Sequence, residues 1–350
     1  MRADFRNIIL LIVSTAMAVY FGSCERGAPE PRKTPGLPTA FVMGTRLEWK
    51  TDNEMMLEID VAAITEDCEN FTVIPDSAFH IESTSSVFFE IDSIERLVID
   101  NTLPYSTILL INQSESPLYV DAYNFRVRAV NRFFSESSRN NLNQVSIAYF
   151  ARNSNTINNY KIFTDSTGNP FGGTYHEKLI LESEINTEEL SGSSNLYDAC
   201  LSMMRYIDTF AVNDQRSVTV YTYNIDDSYG INANKLIDSA LNRNIGINII
   251  SVGYHAPLFA DICSRTGGFL METSSFLYTE MEYKGPLIIA SLDRILQKNV
   301  HLYRIHLKVK RNLNFYNGFY LRPDFYVRYS DVSGNIVINN PLKFYYRLSL

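Results

Sequence analysis

The hydrophobic period of this chain changes twice, and that change constrains its fold more than any other feature. From about residue 40 to 101 apolar and polar residues alternate, as in Leu57-Glu58-Ile59-Asp60-Val61. The middle of the chain instead alternates short apolar runs with helical spacing, and from about residue 300 the period returns to two. A period of two is typical of half-buried strands, whereas apolar runs between amphipathic helices are typical of parallel α/β sheets. The sequence therefore predicts an α/β unit between two all-β segments.

The α/β unit is predicted to span residues 105–298. Fully apolar runs such as Thr107–Ile111 and Ile245–Val252 predict buried strands, and the spacing over Leu196–Phe210 predicts a helix. Repeated strand–helix units imply a mostly parallel, Rossmann-like sheet with helices on both faces. The fold class is therefore α/β.

The two β segments are predicted to cover residues 40–104 and 299–350. Each is small for an independent hydrophobic core. One β-sandwich built from both segments, with the α/β unit inserted, is the economical solution, and two separate small β domains are the alternative.

The N-terminus has the pattern of a secretory signal over residues 1–23. Arg2 and Arg6 precede a nearly continuous apolar run over residues 8–21, which is too short to span a bilayer as a helix. The run ends in Phe21-Gly22-Ser23-Cys24, which resembles the lipobox of bacterial lipoproteins, although Leu is more usual at the position of Phe21. The resemblance implies that Cys24 is the lipidated first residue of the mature chain. An ordinary signal peptide followed by a chance cysteine is the alternative.

Residues 24–39 are predicted to be a lipid-anchored tether, because residues 25–38 contain four prolines and two glycines. The overall composition excludes other classes of protein. A formal net charge of -8 argues against a nucleic-acid partner, and four cysteines in 350 residues exclude a disulfide scaffold.

Three loops of the α/β unit resemble the signature loops of von Willebrand factor A (vWA) domains. The first strand is followed by Asn-Gln-Ser-Glu-Ser over residues 112–116, where the family has Asp-x-Ser-x-Ser. Ser194 precedes a predicted helix, where the family has Thr, and Thr-Tyr-Asn over residues 222–224 stands where the family usually reads Thr-Asp-Gly. The resemblance spans about residues 105 to 298 and implies a vWA-like fold.

In vWA domains these loops form a metal-ion-dependent adhesion site, where two Asp carboxylates and three hydroxyls hold Mg²⁺. The resemblance carries these roles over to Asn112, Ser114, Ser116, Ser194 and Tyr223. Two neutral residues, Asn112 and Tyr223, thus replace both carboxylates. A pair of unit charges about 4 Å apart is worth about 4 kcal/mol at an effective dielectric of about 20. We therefore predict a degenerate site with no tightly bound metal and no cofactor.

Two alternatives apply to this site. Glu115, Asp226 or Asp227 would have to reach inward to support a weaker Mg²⁺ site, and solvated loop charges are the simpler interpretation. Without metal, the loops are predicted to offer a neutral hydrogen-bonding surface that binds a protein partner, and satisfying the loops' own backbones is the alternative. The predicted surface consists of Asn112, Ser114, Ser116, Ser194, Tyr223 and Asn224.

No catalytic residue is predicted. His176-Glu177 lacks the second histidine of a zinc-protease helix, and neither a phosphate-binding glycine loop nor a Gly-x-Ser-x-Gly elbow occurs. The chain is therefore expected not to be an enzyme, although an enzyme of unrecognised type stays an alternative.

Together the two resemblances imply a lipid-anchored protein of the bacterial cell envelope. Its vWA-like domain is expected to mediate adhesion, non-covalent binding of an envelope or surface protein, or assembly of an envelope complex. A Mg²⁺-dependent adhesin with an atypical metal site is the main alternative.

Overall fold

The computed structural model describes fifteen stretches of the chain, and structural statements below concern these alone. They are residues 39–64, 75–100, 103–114, 133–134, 137, 140–151, 160–173, 193–223, 232–252, 257–273, 292, 295–297, 299–330, 336–338 and 346–348. The predicted signal, Cys24 and most of the tether lie outside these residues, as do Ser116 and Asn224.

The described part of the chain contains short helices and many strands. The strands are β1 (Thr39–Thr51), β2 (Glu54–Ile64), β3 (Phe79–Glu82), β4 (Val87–Asp100), β5 (Tyr105–Asn112), β6 (Gln144–Phe150), β7 (Tyr160–Ile162), β8 (Gln215–Thr222), β9 (Gly246–Val252), β10 (Leu270–Thr273), β11 (Asn299–Arg311), β12 (Tyr320–Leu321), β13 (Asp324–Ser330), β14 (Ile336–Ile338) and β15 (Tyr346–Arg347). The α-helices with described bounds are α1 (Leu196–Phe210), α2 (Ala233–Arg243) and α3 (Pro257–Thr266). None of the described helices is long and apolar enough to cross a membrane.

The α/β unit is built on a six-stranded sheet with the order β10-β9-β8-β5-β6-β7. All neighbouring strands are parallel except β7, which pairs antiparallel with β6 at one edge. The central strand β5 is buried along its whole length, which explains its unbroken apolar run. The mostly parallel sheet confirms the predicted fold class. The sequence does not reveal the antiparallel edge, because three residues are too few to show a period.

Helical residues pack on both faces of this sheet. On one face, the apolar sides of α1, α2 and α3 form a core with the sheet that includes Met203, Ile237 and Ile262. On the other face, the helical residues Phe133 and Leu292 join a second core. Both faces are therefore covered, as expected of a doubly wound α/β sheet.

The turn after α3 requires glycine. Gly267 has a φ of +74°, and the backbone N–H of Gly268 donates to the carbonyl oxygen of Cys263 at 2.9 Å. A Cβ atom on Gly268 would lie 2.0 Å from the carbonyl oxygen of Ile247 in β9. The two glycines thus end the helix and let the chain approach β9 closely before it enters β10.

The β segments on either side of the α/β unit hydrogen-bond to each other. One sheet has the order β1-β2-β11-β4, so that β11, from after the α/β unit, lies between two strands from before it. A second sheet, β14-β13-β3, also joins strands from both segments. The α/β unit is therefore inserted between β segments that share sheets, here called the β unit. The predicted boundaries of signal, tether and domains stay predictions.

The core of the β unit explains its alternating sequence. Leu57 and Ile59 on β2 pair directly with Leu307 and Ile305 on β11, and all four side chains are fully buried. Polar and charged residues alternate with these along each strand and face outward, such as Arg304, which donates to Asp60 at 2.8 and 3.1 Å. The alternation thus separates a dry face from a charged one.

Candidate functional site

The candidate site lies at the carboxyl ends of two adjacent strands. β5 ends at Asn112 and β8 ends at Thr222, and the parallel pairing of Ile111 with Tyr221 places these two ends side by side. In open α/β sheets this edge is where ligands bind. The structure thus brings the first and third vWA-like loops together at the beginning of each loop.

Asn112 is fully buried and uses both ends of its carboxamide within the protein. Its Nδ2 donates to Thr222 Oγ1 at 2.9 Å, and its Oδ1 accepts the backbone N–H of Ser114 at 2.8 Å. The second bond forms an Asx turn that starts the first loop. The residue at the position of a metal-binding aspartate therefore connects two strand ends instead.

A third strand fixes the same loop. The backbone N–H of Gln113 donates to the carbonyl oxygen of Phe150, the last residue of β6, at 2.8 Å. Gln113 and Ser114 are both nearly fully buried. The beginning of the first loop is consequently held by β5, β6 and β8, which makes it a rigid part of the site.

Ser194 lies two residues before α1, in the loop position that the resemblance implies. Both Ser194 and Asn195 are buried, and the carbonyl oxygen of Asn195 accepts the backbone N–H of Ala199 in the first turn of the helix. The second loop therefore leads into a helix whose N-terminal end is buried at Leu196 and Tyr197.

Tyr223 packs into an apolar core. Its side chain is 4% exposed, and its ring lies 5.6 Å from the ring of Tyr221 in an edge-to-face arrangement at 77°. Both rings belong to the same apolar cluster as Ile111 and Ile250. The tyrosine that replaces the second carboxylate therefore contributes aromatic packing at the end of β8.

Burial changes the interpretation of the predicted surface. Asn112, Ser114, Ser194 and Tyr223 are each at most 4% exposed, whereas the sequence predicts that they form a surface. Parallel strands buried on both faces give no alternation that separates inward from outward positions at their ends. These four side chains lie beneath the protein surface, where they support the described parts of the loops.

Thr222 is the partner that sequence reasoning missed. Its hydroxyl accepts the hydrogen bond of Asn112, and its side chain is fully buried. The signal was present, because Thr222 retains the Thr of the family's Thr-Asp-Gly. The prediction rests on the neighbouring residue, Tyr223, which stands where the family has the aspartate.

The described site residues do not fit a divalent cation. Mg²⁺ takes hard oxygen ligands and usually at least one carboxylate, and Asn112, Ser114, Ser194, Thr222 and Tyr223 include no acidic side chain. Nor does any group of three or more His, Cys, Asp or Glu side chains in the described residues have the arrangement of a metal site. Glu115, Asp226 and Asp227, the acidic residues considered for a weaker site, lie outside the described residues.

Two open clefts lined by described residues lie away from these loops. The larger, of about 510 Å³, lies between the ends of α1 and α2 and the beginning of β8. Its Arg243 pairs with Asp208, and its Arg216 donates to the carbonyl oxygen of Arg243 at 2.8 Å. The smaller, of about 260 Å³, lies between α1 and Tyr160 of β7. Since the arginines of the larger cleft are paired with neighbours, it is not a strong anion site.

Comparisons with known proteins give matches in structure alone. No protein-family model and no curated protein sequence matches the chain. The VWA domain of SpRpn10 is 16% identical, with a TM-score of 0.41, over 53% of this chain and 94% of that domain. A von Willebrand factor type A protein from Catenulispora acidiphila is 9% identical, with a TM-score of 0.43, over 91% of this chain and 75% of that one.

A pilus adhesin, SpaC from Lactobacillus rhamnosus GG, is 8% identical with a TM-score of 0.44. The match covers 92% of this chain but 49% of the adhesin, so the chain spans about half the length of that protein. At these identities the comparisons concern the fold alone. The mostly parallel direction of the strands, with helical residues on both faces, agrees with the predicted α/β sheet. The α/β unit of this chain is therefore a mostly parallel sheet whose loops resemble those of vWA domains, and it is inserted between β segments.

Proposed function

We propose that the α/β unit is a protein-interaction module that works without a bound metal, carried by a lipid-anchored protein of the bacterial cell envelope. One observation carries the proposal. Asn112, where a metal site would need a carboxylate, is buried and hydrogen-bonded at both ends of its carboxamide. The described part of the first loop begins with an Asx turn at Asn112, and the described site residues carry no charged side chain.

A neutral carboxamide is a poor substitute for the carboxylate in physical terms. The Nδ2 of Asn112 donates to Thr222, so one end of the group presents hydrogens rather than a lone pair. Its Oδ1 accepts from Ser114, and turning this oxygen toward a cation would break the Asx turn. A metal would therefore compete with two buried hydrogen bonds without gaining a charge, which disfavours binding.

A binding role fits this arrangement better than catalysis. The described site residues are amides, hydroxyls and an aromatic ring, and they include no histidine, cysteine or carboxylate that would serve as base or nucleophile. The loops start from a rigid edge held by three strands. Rigid supports of this kind present variable loops to a partner at low entropic cost.

The partner is proposed to contact the first vWA-like loop. Ser116 is the loop residue to test, with Thr209→Ala on the exposed face of α1 as the matched control. Cross-linking in cells would identify envelope proteins joined to the wild-type chain. We expect Ser116→Ala to lose at least one of these proteins and Thr209→Ala to retain it. Equal capture by both variants would contradict binding through this loop.

The proposed anchor is tested separately. The basic start, the apolar run and Ser23-Cys24 support lipidation of Cys24. In bacterial cells, Cys24→Ser should abolish incorporation of labelled fatty acid and release the protein from the membrane fraction. Cys68→Ser, which removes a thiol outside the lipobox-like sequence, should do neither. Labelling that persists in Cys24→Ser would overturn the proposed anchor but leave the metal-free binding role intact.

A further inference from the structure

The helix α3 is buried on its outer side as well as its inner side. Six consecutive residues, Phe259 to Ser264, are buried, which is more than one full turn. Phe259, Ile262 and Cys263 face the core of the six-stranded sheet. A helix that covers a sheet normally leaves its outer face in water. In this chain β1 and β15 of the β unit contact α3, so the β unit covers that face.

Asp261 is the charged residue of this covered region. Its side chain is 1% exposed, and its Oδ1 accepts the backbone N–H of Arg347 in β15 at 3.0 Å. β15 pairs only with β12 within the described residues, with Arg347 opposite Tyr320. The N–H of Arg347 is thus on the open side of a strand edge, and Asp261 supplies the acceptor that a neighbouring strand would otherwise provide.

The other side of β15 is fixed in the β unit. The backbone N–H of Leu348 donates to the carbonyl oxygen of Phe319, and that of Gly318 donates to Leu348, both at 2.8 Å. The side chain of Leu348 is 1% exposed in the same apolar core as Phe325. Residues 346–348 therefore contact both units. Leu348 binds to the β unit, and the backbone N–H of Arg347 binds to the α/β unit.

Neighbouring hydrogen-bond donors and positive charges offset only part of the cost of burying the Asp261 carboxylate. Its Oδ2 lies 3.6 Å from Nη1 of Arg265, beyond hydrogen-bond distance, and no described residue donates a hydrogen bond to it. Arg265 also donates to Asn234 on α2 at 3.2 Å. Arg347 adds a second positive charge nearby. A buried carboxylate with one direct hydrogen bond recovers only part of its desolvation cost, so this contact adds less stability than a fully paired charge would.

We propose that Asp261 and residues 346–348 form a releasable clasp that couples α3 to the β unit. When the N–H of Arg347 leaves Asp261, the part of α3 that contacts β15 is freed, while β1 still contacts α3 and Leu348 keeps the segment attached to the β unit. α3 follows β9, whose carboxyl end is at the same edge of the parallel sheet as Asn112. The clasp thus connects the β unit to the side of the α/β unit that carries the candidate site. This inference does not depend on the proposed function.

Two pairs of variants test the clasp from opposite sides. Asp261→Asn keeps an oxygen acceptor for the N–H of Arg347, whereas Asp261→Leu removes it. Arg347→Pro removes the donor and leaves Asp261 unchanged, whereas Arg347→Ala keeps the backbone N–H. Hydrogen exchange followed by mass spectrometry would report on peptides that cover residues 346–350 and 257–266. A peptide that covers β5 serves as the internal control.

We expect Asp261→Leu and Arg347→Pro to speed exchange in both test peptides by about tenfold, as loss of one hydrogen bond to a charged acceptor would cause. Exchange in β5 should be unchanged, and Asp261→Asn and Arg347→Ala should resemble the wild type. If Asp261→Leu does not fold, Arg347→Pro still decides the question. Wild-type exchange in a folded Arg347→Pro variant, or equal effects of Asp261→Asn and Asp261→Leu, would overturn the clasp.

Discussion

Asn112 shows how a single neutral residue at a strand end takes part in hydrogen bonds where the resemblance implies a metal ligand. An aspartate at this position would offer a charge to a cation, whereas the asparagine donates to Thr222 and accepts from Ser114. Both bonds are made by fully or nearly fully buried groups. The residue is therefore expected to matter for stability more than for any metal.

Replacing Asn112 by alanine should destabilise the protein. The change leaves the buried N–H of Ser114 without its acceptor and removes the donor to Thr222, so we expect a loss of about 1–3 kcal/mol in the free energy of unfolding. Chemical denaturation measures this loss. The matched control is Asn312→Ala at an exposed position, where the change should stay within about 0.5 kcal/mol. Equal effects of both variants would contradict a structural role for Asn112.

Asp261 makes the stability of the protein depend on pH. Burial raises the pKa of this carboxyl above its ordinary value of 3.8, while the N–H of Arg347 and the charge of Arg265 oppose the shift. Between the ordinary and the raised value, the folded protein binds more protons than the unfolded chain, so this residue's contribution to stability falls as pH rises. Below the ordinary value the contribution no longer changes with pH.

Replacing Asp261 by asparagine should remove this pH dependence. Relative to Asp261→Asn, the wild type should lose stability as pH rises from about 4 toward neutrality, because only the wild type must bury a charge. Denaturation curves of both proteins over this range measure the difference. Asp238→Asn on the exposed face of α2 is the control. A difference that is constant from acid to neutral pH would contradict burial as the cause.

At the residue scale, sequence motifs indicate where a residue lies along the chain but not which residues it contacts. The motifs placed Asn112, Ser194 and Tyr223 at the ends of strands or before a helix, and the structure places them there. Motifs report spacing along the chain, and they carry no information on which side chains meet across strands. The hydrogen bond to Thr222 joins residues 110 positions apart, and the core position of Tyr223 depends on packing with Tyr221.

At the scale of elements, the pair Gly267-Gly268 determines where α3 ends and β10 begins. Gly268→Ala should lower the free energy of unfolding by about 1–3 kcal/mol or more, because its Cβ would clash with the backbone of Ile247. Gly44→Ala in β1, where a Cβ would meet its nearest atom only at 4.0 Å, should change stability far less. Thermal unfolding of the two variants measures the contrast. Equal melting temperatures would mean that the turn after α3 can relax.

Secondary-structure elements were predictable where an unbroken apolar run or a helical spacing of apolar residues extends over several positions. The apolar run Thr107–Ile111 predicted the core of β5, and the helical spacing over Leu196–Phe210 predicted α1. The pairing of the two-residue strands β12 and β15 does not follow from such patterns, because so short a pairing depends on a tertiary neighbour. The buried contact of Asp261 with β15 is equally invisible in sequence, since its two residues are 86 positions apart.

At the scale of the whole molecule, strand pairing explains how one unit is carried inside another. Asp100 at the end of β4 pairs directly with Asn299 at the beginning of β11. The chain thus leaves the β unit and returns to it at neighbouring positions, so the α/β unit is accommodated without interrupting the sheet. The small size of each β segment favoured one domain built from both, but which strands pair with each other required the structure.

The central claim is that this vWA-like unit works without a metal, and thermal unfolding in the presence of Mg²⁺ tests it most directly. A ligand present at about 100 times its Kd stabilises the folded state by about 2.7 kcal/mol, which is readily measured as a rise in melting temperature. We expect the melting temperature to be the same in millimolar Mg²⁺ and in excess chelator at matched ionic strength. A Mg²⁺-dependent rise that the chelator abolishes would contradict the claim and favour the alternative of a Mg²⁺-dependent adhesin with an atypical metal site.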